Sequence, residues 1–174
     1  MTGAGEGATV DLATRVEVED LYYREAELLD ERRWEEWLEL FAPELEYTAP
    51  IRVTRRAPAN DIIDDIGHFD ETKSSLGLRV KRLRTDVAWA ENPPSHTRRL
   101  ITNVRVRRET GTGQLAARTN MMLFRSRGDH GAHDLIVGER RDTLRREGEA
   151  WLITRRVIIL DQSSLGTKNL GVFL

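Results

Sequence analysis

The hydrophobic period of this chain changes from helical to alternating near its middle, and that change constrains the fold more than any single motif. Val18, Leu21, Tyr22, Glu25, Leu28 and Leu29 recur at helical spacing, and only Glu25 in that stripe is polar. Thr14 and Glu17 fit a capping box at its start. A second, shorter helix carries Trp34, Trp37, Leu38 and Phe41, and Pro43 ends it by excluding the preceding residue from helix. Leu45, Tyr47, Ala49, Ile51 and Val53 then alternate as a strand, which Pro50 marks as an edge. Pro58 to Gly67 reads as loop or a short helical turn, and Asp70 is placed to cap a third helix bearing Leu76, Val80 and Leu83.

From Thr85 the period is two. Asp86–Glu91 reads as a short strand broken by Asn92-Pro93-Pro94. Leu100–Arg108 and Leu115–Arg125 form a hairpin around Glu109–Gly113, and Leu135–Arg145 and Trp151–Leu160 form another around Arg146–Glu149. Helices followed by an antiparallel meander imply an α+β fold, with N-terminal helices on one face of a curled antiparallel sheet. Such a sheet can wrap a helix into a cone with a pocket at its mouth. The 174 residues suit one domain, expected over 14–174, with residues 1–13 as a flexible Gly-rich tail.

Several function classes fall away on composition. The chain has no cysteine, which excludes disulfides, thiolate catalysis and any zinc or iron–sulfur centre that needs its thiolates. Unbroken apolar stretches such as Val157–Leu160 are too short to span a membrane, and the N-terminus lacks the pattern of a secretory signal. Residues 1–50 hold 4 basic and 14 acidic residues, a net of −10, whereas residues 51–174 hold 23 basic and 15 acidic, a net of +8. All but Lys73, Lys81 and Lys168 of the 27 basic residues are arginine. A nucleic-acid surface would align them with aromatics on one face. The adjacent pairs Arg140/Arg141 and Arg155/Arg156 point to opposite faces of a strand instead, and the pI of about 6.1 is not basic. Arginine in internal ion pairs and subunit contacts fits better.

Candidate chemistry is sparse. His130 and His133, with Asp129 and Asp134, have the residue types of a metal site, but the surrounding glycines favour a solvated hairpin tip. General acid–base work in the cone could fall to His68, Asp86 or His96. The alternatives are a helix-entry His68 and a loop His96, and no diagnostic spacing links the three. No nucleophile elbow, phosphate loop or dinucleotide fingerprint occurs.

Several motifs are more specific. Leu28-Leu29-Asp30-Glu31-Arg32-Arg33-Trp34-Glu35-Glu36-Trp37, Phe69-Asp70-Glu71, Leu78-Arg79-Val80-Lys81-Arg82-Leu83-Arg84-Thr85 and Ala88-Trp89-Ala90-Glu91-Asn92-Pro93-Pro94-Ser95 stand in one order along the chain. Thr102–Val106, Val137–Asp142 and Leu160-Asp161-Gln162-Ser163-Ser164-Leu165 through Lys168-Asn169-Leu170 continue the series. Together, over roughly residues 15–174, they resemble the small (beta) subunit of aromatic-ring-hydroxylating dioxygenases. The resemblance implies a nuclear transport factor 2-like, scytalone-dehydratase-like cone in a cytoplasmic hexamer of three alpha and three beta subunits, the beta subunits forming a trimer. It also implies that the alpha subunit carries the Rieske iron-sulfur cluster, the mononuclear iron and the substrate pocket, with NADH feeding electrons through a reductase. The beta chain would then be a non-catalytic structural subunit in aromatic compound catabolism, without cofactor or metal of its own. Trp89, Pro93, Pro94, Arg98, Arg99, Asp161, Lys168 and Asn169 are the subunit-interface candidates, because a rigid double proline, a Trp and charged residues suit a contact. The competing expectations are a stand-alone, cofactor-free cone enzyme (an isomerase, dehydratase or hydrolase) and a small-molecule binding module of the same fold.

Overall fold

The computed structural model describes residues 7–52, 62–85, 94–126, 133–162 and 172–174, with only the backbone of 63–66. Two-residue strand β1 (Ala8–Thr9) is followed by helices α1 (Leu12–Asp30) and α2 (Trp34–Leu38), then strands β2 (Phe41–Arg52) and β3 (Ile62–Glu71). Helix α3 (Lys73–Leu83) leads into β4 (His96–Arg108), β5 (Leu115–Ser126), β6 (His133–Glu147) and β7 (Ala150–Leu160). The seven strands form one sheet in the order β1-β4-β5-β6-β7-β2-β3. Both expected hairpins are present, and every neighbouring pair is antiparallel except β2 with β7, which run parallel. The sheet is therefore mixed rather than wholly antiparallel.

Helix α1 begins earlier than the capping box implied. Asp11 is the N-cap, and its carboxylate accepts from the Thr14 N–H at 2.8 Å and the Thr14 hydroxyl at 3.0 Å. Glu17 is free to accept from Trp151 Nε1 at 2.8 Å and from Arg146 at 2.7 Å. Ala8 and Thr9 pair with Arg108 and Arg107, so ordered structure reaches into the stretch expected to be a tail. Phe41 and Pro43 belong to β2 and not to α2, whose fifth and last residue is Leu38. Nor is β2 an edge. It lies between β7 and β3, and Pro50 is tolerated because it falls at a register shift with β3, where a ladder hydrogen bond is already lost. Residues 62–67, expected as loop, form the first part of β3. The cap of α3 is Thr72, in a capping box with Ser75, and Asp70 stays in β3. The expected strand 86–91 lies outside the described residues.

Alternation along β5 sets the inner face: Leu115, Ala117, Thr119, Met121 and Leu123 are buried, and the intervening residues are half-buried or exposed. Helix α1 packs across β4 and reaches β7, while α2 bridges α1 to α3, which lies on β2. The core thus sits between the helices and the concave side of the sheet. Trp37 is central to it, meeting Phe41 edge-on at 5.0 Å between ring centroids and Phe173 at 4.4 Å.

Candidate functional site

The polar residue in the stripe of α1 is driven into the cone because its neighbours Val18, Tyr22, Leu28 and Leu29 must be buried. There the Glu25 carboxylate accepts from Arg140 Nη1 and Arg156 Nη2, each at 3.0 Å, from Trp37 Nε1 at 3.1 Å, and from Arg156 Nη1. Arg156 also forms a fork on Asp142, which stands directly across from it on β6, with bonds of 2.9 and 2.7 Å. Arg140 Nε donates to Thr119 across the β5–β6 ladder at 3.3 Å. Two carboxylates face two guanidinium groups, and the side chains of all four are at most 1% exposed.

Burial by itself would raise the Glu25 carboxyl, but the guanidinium groups of Arg156 and Arg140 outweigh it and hold the group at about 2, against an ordinary 4.5. Burial likewise opposes the charge on Arg156, and Asp142 and Glu25 overcome it, raising that guanidinium well above its ordinary value. A general base must titrate near its working pH. Glu25 and Arg156 are each held in the charged form.

A second anchor closes the mouth of the cone. Asp30, near the C-terminal end of α1, accepts from the Arg99 N–H at 2.8 Å, from Arg99 Nη1 at 2.5 Å and from Thr97 Oγ1 at 3.0 Å. Arg99 Nη2 then donates to the Phe173 carbonyl at 2.7 Å. The Arg79 guanidinium lies over the rings of Phe173 (4.8 Å) and Phe69 (4.9 Å), and the Tyr47 hydroxyl bonds the backbone of Leu174. Residues 172–174 are buried, and beside Phe173 a cavity of about 30 Å³ remains, lined by residues such as Leu29, Trp34 and Leu83.

The described members of the acid–base candidates lie on separate elements. His68 lies on β3 and His96 on β4, with four strands between them in the sheet. His96, Arg98 and Leu100 share the exposed side of β4, opposite to the cone interior. Asp86, Trp89 and Pro93 lie outside the described residues, as do Asp129, His130, Lys168 and Asn169. His133 is exposed and stacks on Phe124 at 5.2 Å, and Asp134 approaches Arg125 at 3.6 Å. Among the described residues no three His, Asp or Glu side chains converge to hold a metal ion. Pro94 is exposed, and Asp161 pairs with Arg52 at 2.6 Å. Arg99, expected at a subunit contact, turns its guanidinium inward, where Asp30 and the Phe173 carbonyl are its partners within the chain. The Glu25 cluster was not foreseen as a unit. Its signals were the single polar residue in an apolar helical stripe and the split Arg-Arg pairs, whose buried members are Arg140 and Arg156.

Known proteins share this sequence and architecture. Residues 24–167 match the family described as ring hydroxylating beta subunit. The chain is 37% identical over 172 residues to a benzene 1,2-dioxygenase subunit beta of Pseudomonas putida, covering 95% of this chain and 91% of the relative. It is 36% identical over 172 residues to a biphenyl 2,3-dioxygenase subunit beta of Rhodococcus jostii, with the same coverage. A solved structure of naphthalene 1,2-dioxygenase with indole bound in the active site superposes with a TM-score of 0.82 at 28% identity, covering 95% of this chain and 88% of that one. A putative scytalone dehydratase from Novosphingobium aromaticivorans, at 13% identity and a TM-score of 0.63 over 87% of this chain and 86% of that one, shares the cone fold. A family match across most of the length, the sequence relatives and the α+β cone agree: the chain belongs to the beta-subunit family of ring-hydroxylating dioxygenases.

Proposed function

We propose that this chain is the structural subunit of a multicomponent aromatic-ring dioxygenase, assembled in the cytoplasm as three beta with three alpha subunits, the beta subunits forming a trimer. The alpha subunits would carry the Rieske cluster, the mononuclear iron and the substrate pocket, with NADH supplying electrons through a reductase. A Rieske centre requires cysteine thiolates as well as histidines, and this chain has no cysteine, so its residues do not fit that group. The observation that carries the reading is the 37% identity to a benzene dioxygenase beta subunit over 95% of the chain. The mutually neutralised charges inside the cone support it, since Glu25 and Arg156 are committed to each other and not to a ligand.

The test is co-expression with an alpha-subunit candidate encoded beside this chain, followed by light scattering and iron analysis. An iron-bearing particle of about six chains is expected. A well-folded alpha partner that ignores this chain would overturn the proposal, as would turnover of a carbonyl or epoxide substrate by this chain alone.

A further inference from the structure

Val172, Phe173 and Leu174 belong to no helix or strand, yet all three are buried. Side chains at the mouth of the cone bond their backbone. Tyr47 on β2 donates its hydroxyl to the Leu174 carbonyl and accepts from the Leu174 N–H at 3.2 Å, while Arg99 Nη2 on β4 donates to the Phe173 carbonyl at 2.7 Å. The Phe173 ring meets Trp37 of α2 at 4.4 Å and the Arg79 guanidinium of α3 at 4.8 Å. Four elements thus hold one ring and its neighbouring oxygens, in the way a pocket holds a small molecule.

The segment does not satisfy its surroundings. Arg99 Nε is buried without a partner among the described residues. Arg156 shows what that edge of a guanidinium does when it is filled: its Nε and Nη2 together fork the Asp142 carboxylate. The Phe173 carbonyl brings one oxygen to the same edge of Arg99, where a carboxylate would bring two. The cavity of about 30 Å³ beside Phe173, walled in part by Arg99, has room for the second. Arg32 lines that cavity too. It sits just past α1 at a φ of 60°, where glycine would be unstrained, and among the described residues its guanidinium meets the Ser95 carbonyl at 2.8 Å and no carboxylate. Asp30 offsets Arg99 and Glu71 offsets Arg79, so Arg32 is the charge of the three left for an anion.

We infer that the mouth of the cone is a binding site for an aromatic carboxylate with two carbons between ring and carboxyl group, the spacing of ring and carbonyl in Phe173, and that Phe173 holds the site until such a ligand displaces it. The ligand's ring lies against Trp37 and Arg79. Its carboxylate takes the Nε and Nη2 edge of Arg99, with Arg32 as the balancing charge. The site does not include the Glu25 cluster, and it belongs to this chain alone, whatever the assembly.

The probe is 3-phenylpropionate, titrated into the full chain by calorimetry, with the Trp37 indole N–H resonance reporting where it binds. A docked segment lowers the apparent affinity by the fraction of chains in which it is released, so wild type should bind about ten- to a hundredfold more weakly than Phe173→Ala, which removes the competing ring. Phe173→Leu keeps most of the volume without the ring and should fall between the two; it carries the test if the alanine variant fails to fold by near-UV circular dichroism. Arg32→Gly relieves the backbone strain, so it should keep or raise the thermal midpoint while weakening binding several-fold in the Phe173→Ala background. The neutral 3-phenylpropanol should bind at least about tenfold more weakly than the acid. No saturable binding to a folded Phe173→Ala chain, equal affinity in wild type and variant, or a Trp37 resonance that stays in place at saturation would overturn the site. A wild type weaker than the variant by about a thousandfold or more would make Phe173 a permanent part of the core and overturn the exchange.

Discussion

Replacing Glu25 is the most direct test of the buried cluster. Its carboxylate is enclosed by α1, α2, β6 and β7 and accepts from Trp37, Arg140 and Arg156. Without it, Arg156 keeps Asp142 but Arg140 loses its carboxylate, leaving a net positive charge in a buried cluster. Removing one partner of such a buried pair costs about 3–5 kcal/mol. The acidity of the carboxyl gives a similar size: a fall from 4.5 to about 2 corresponds to about 3 kcal/mol in favour of the charged form in the folded chain. Against a total stability of about 5–15 kcal/mol, that is a large share. Urea unfolding followed by circular dichroism, at pH 7 and fixed protein concentration, should show a loss of about 3–5 kcal/mol for Glu25→Ala. Glu25→Gln, which keeps the volume but not the charge, should lose about 3 kcal/mol. The pH dependence has a definite sign. Because folding depresses this carboxyl, its contribution is complete above pH 4.5 and is lost as the pH falls toward 2. The stability difference between wild type and Glu25→Gln should therefore shrink across that window. Losses within about 1 kcal/mol for both variants, or a difference constant from pH 5 to 2, would refute the reasoning.

Other positions discriminate between parts of the fold. A Cβ at Gly138 would sit 2.5 Å from the Ile159 carbonyl oxygen, so Gly138→Ala must push β6 from β7, and thermal unfolding should register a loss of about 1–3 kcal/mol. Asp30→Ala strands the Arg99 guanidinium, 2% exposed, and should cost about 3 kcal/mol or more by urea titration, whereas Asp30→Asn, which keeps an acceptor, should cost less. Arg84→Ala removes a solvated pair with Glu35, a long bond to the Arg32 carbonyl and an exposed stack on Trp34, and should cost about 1 kcal/mol in the same titration, well below the buried variants.

The α+β class, both hairpins and the buried stripe of α1 were legible because each depends on local periodicity. The register of β7 was not. Strict alternation from Trp151 would bury Ile153, Arg155, Val157 and Ile159, a plausible inner face. The strand instead shifts register at Thr154, where Arg155 opposes Thr143 and Ile153 opposes Leu144, and the Thr154 hydroxyl donates to the Thr143 carbonyl at 3.2 Å. Beyond the shift Arg156, Ile158 and Leu160 face inward. Ile159 is buried as well as Ile158 and Leu160, so an apolar run at the end of the strand does not reveal which register is taken. Arg-Arg pairs hide the choice further, since either register places a guanidinium opposite Asp142. The inward turn of Arg99 was equally hidden, because its partners Asp30 and Phe173 lie 69 and 74 residues away in sequence.

These contacts bear on function through what the cone interior has left to offer. A sheet curled around helices creates a concavity, and an enzyme built there would need space, a group titrating near neutrality and charge left free to act on a substrate. Here the concavity is occupied by Trp37, Phe41, Tyr47 and Phe173, and Arg99 ties the Phe173 backbone down. The internal acids and arginines neutralise each other through bonds near 3 Å, which ties α1 to β6 and β7 in one arrangement. Uncompensated charge and apolar surface lie outside, on α1 and on the convex side of the sheet. A rigid interior with reactive-looking residues spent on one another, and an exterior whose patches want covering, is the distribution expected of a subunit that holds other chains in place.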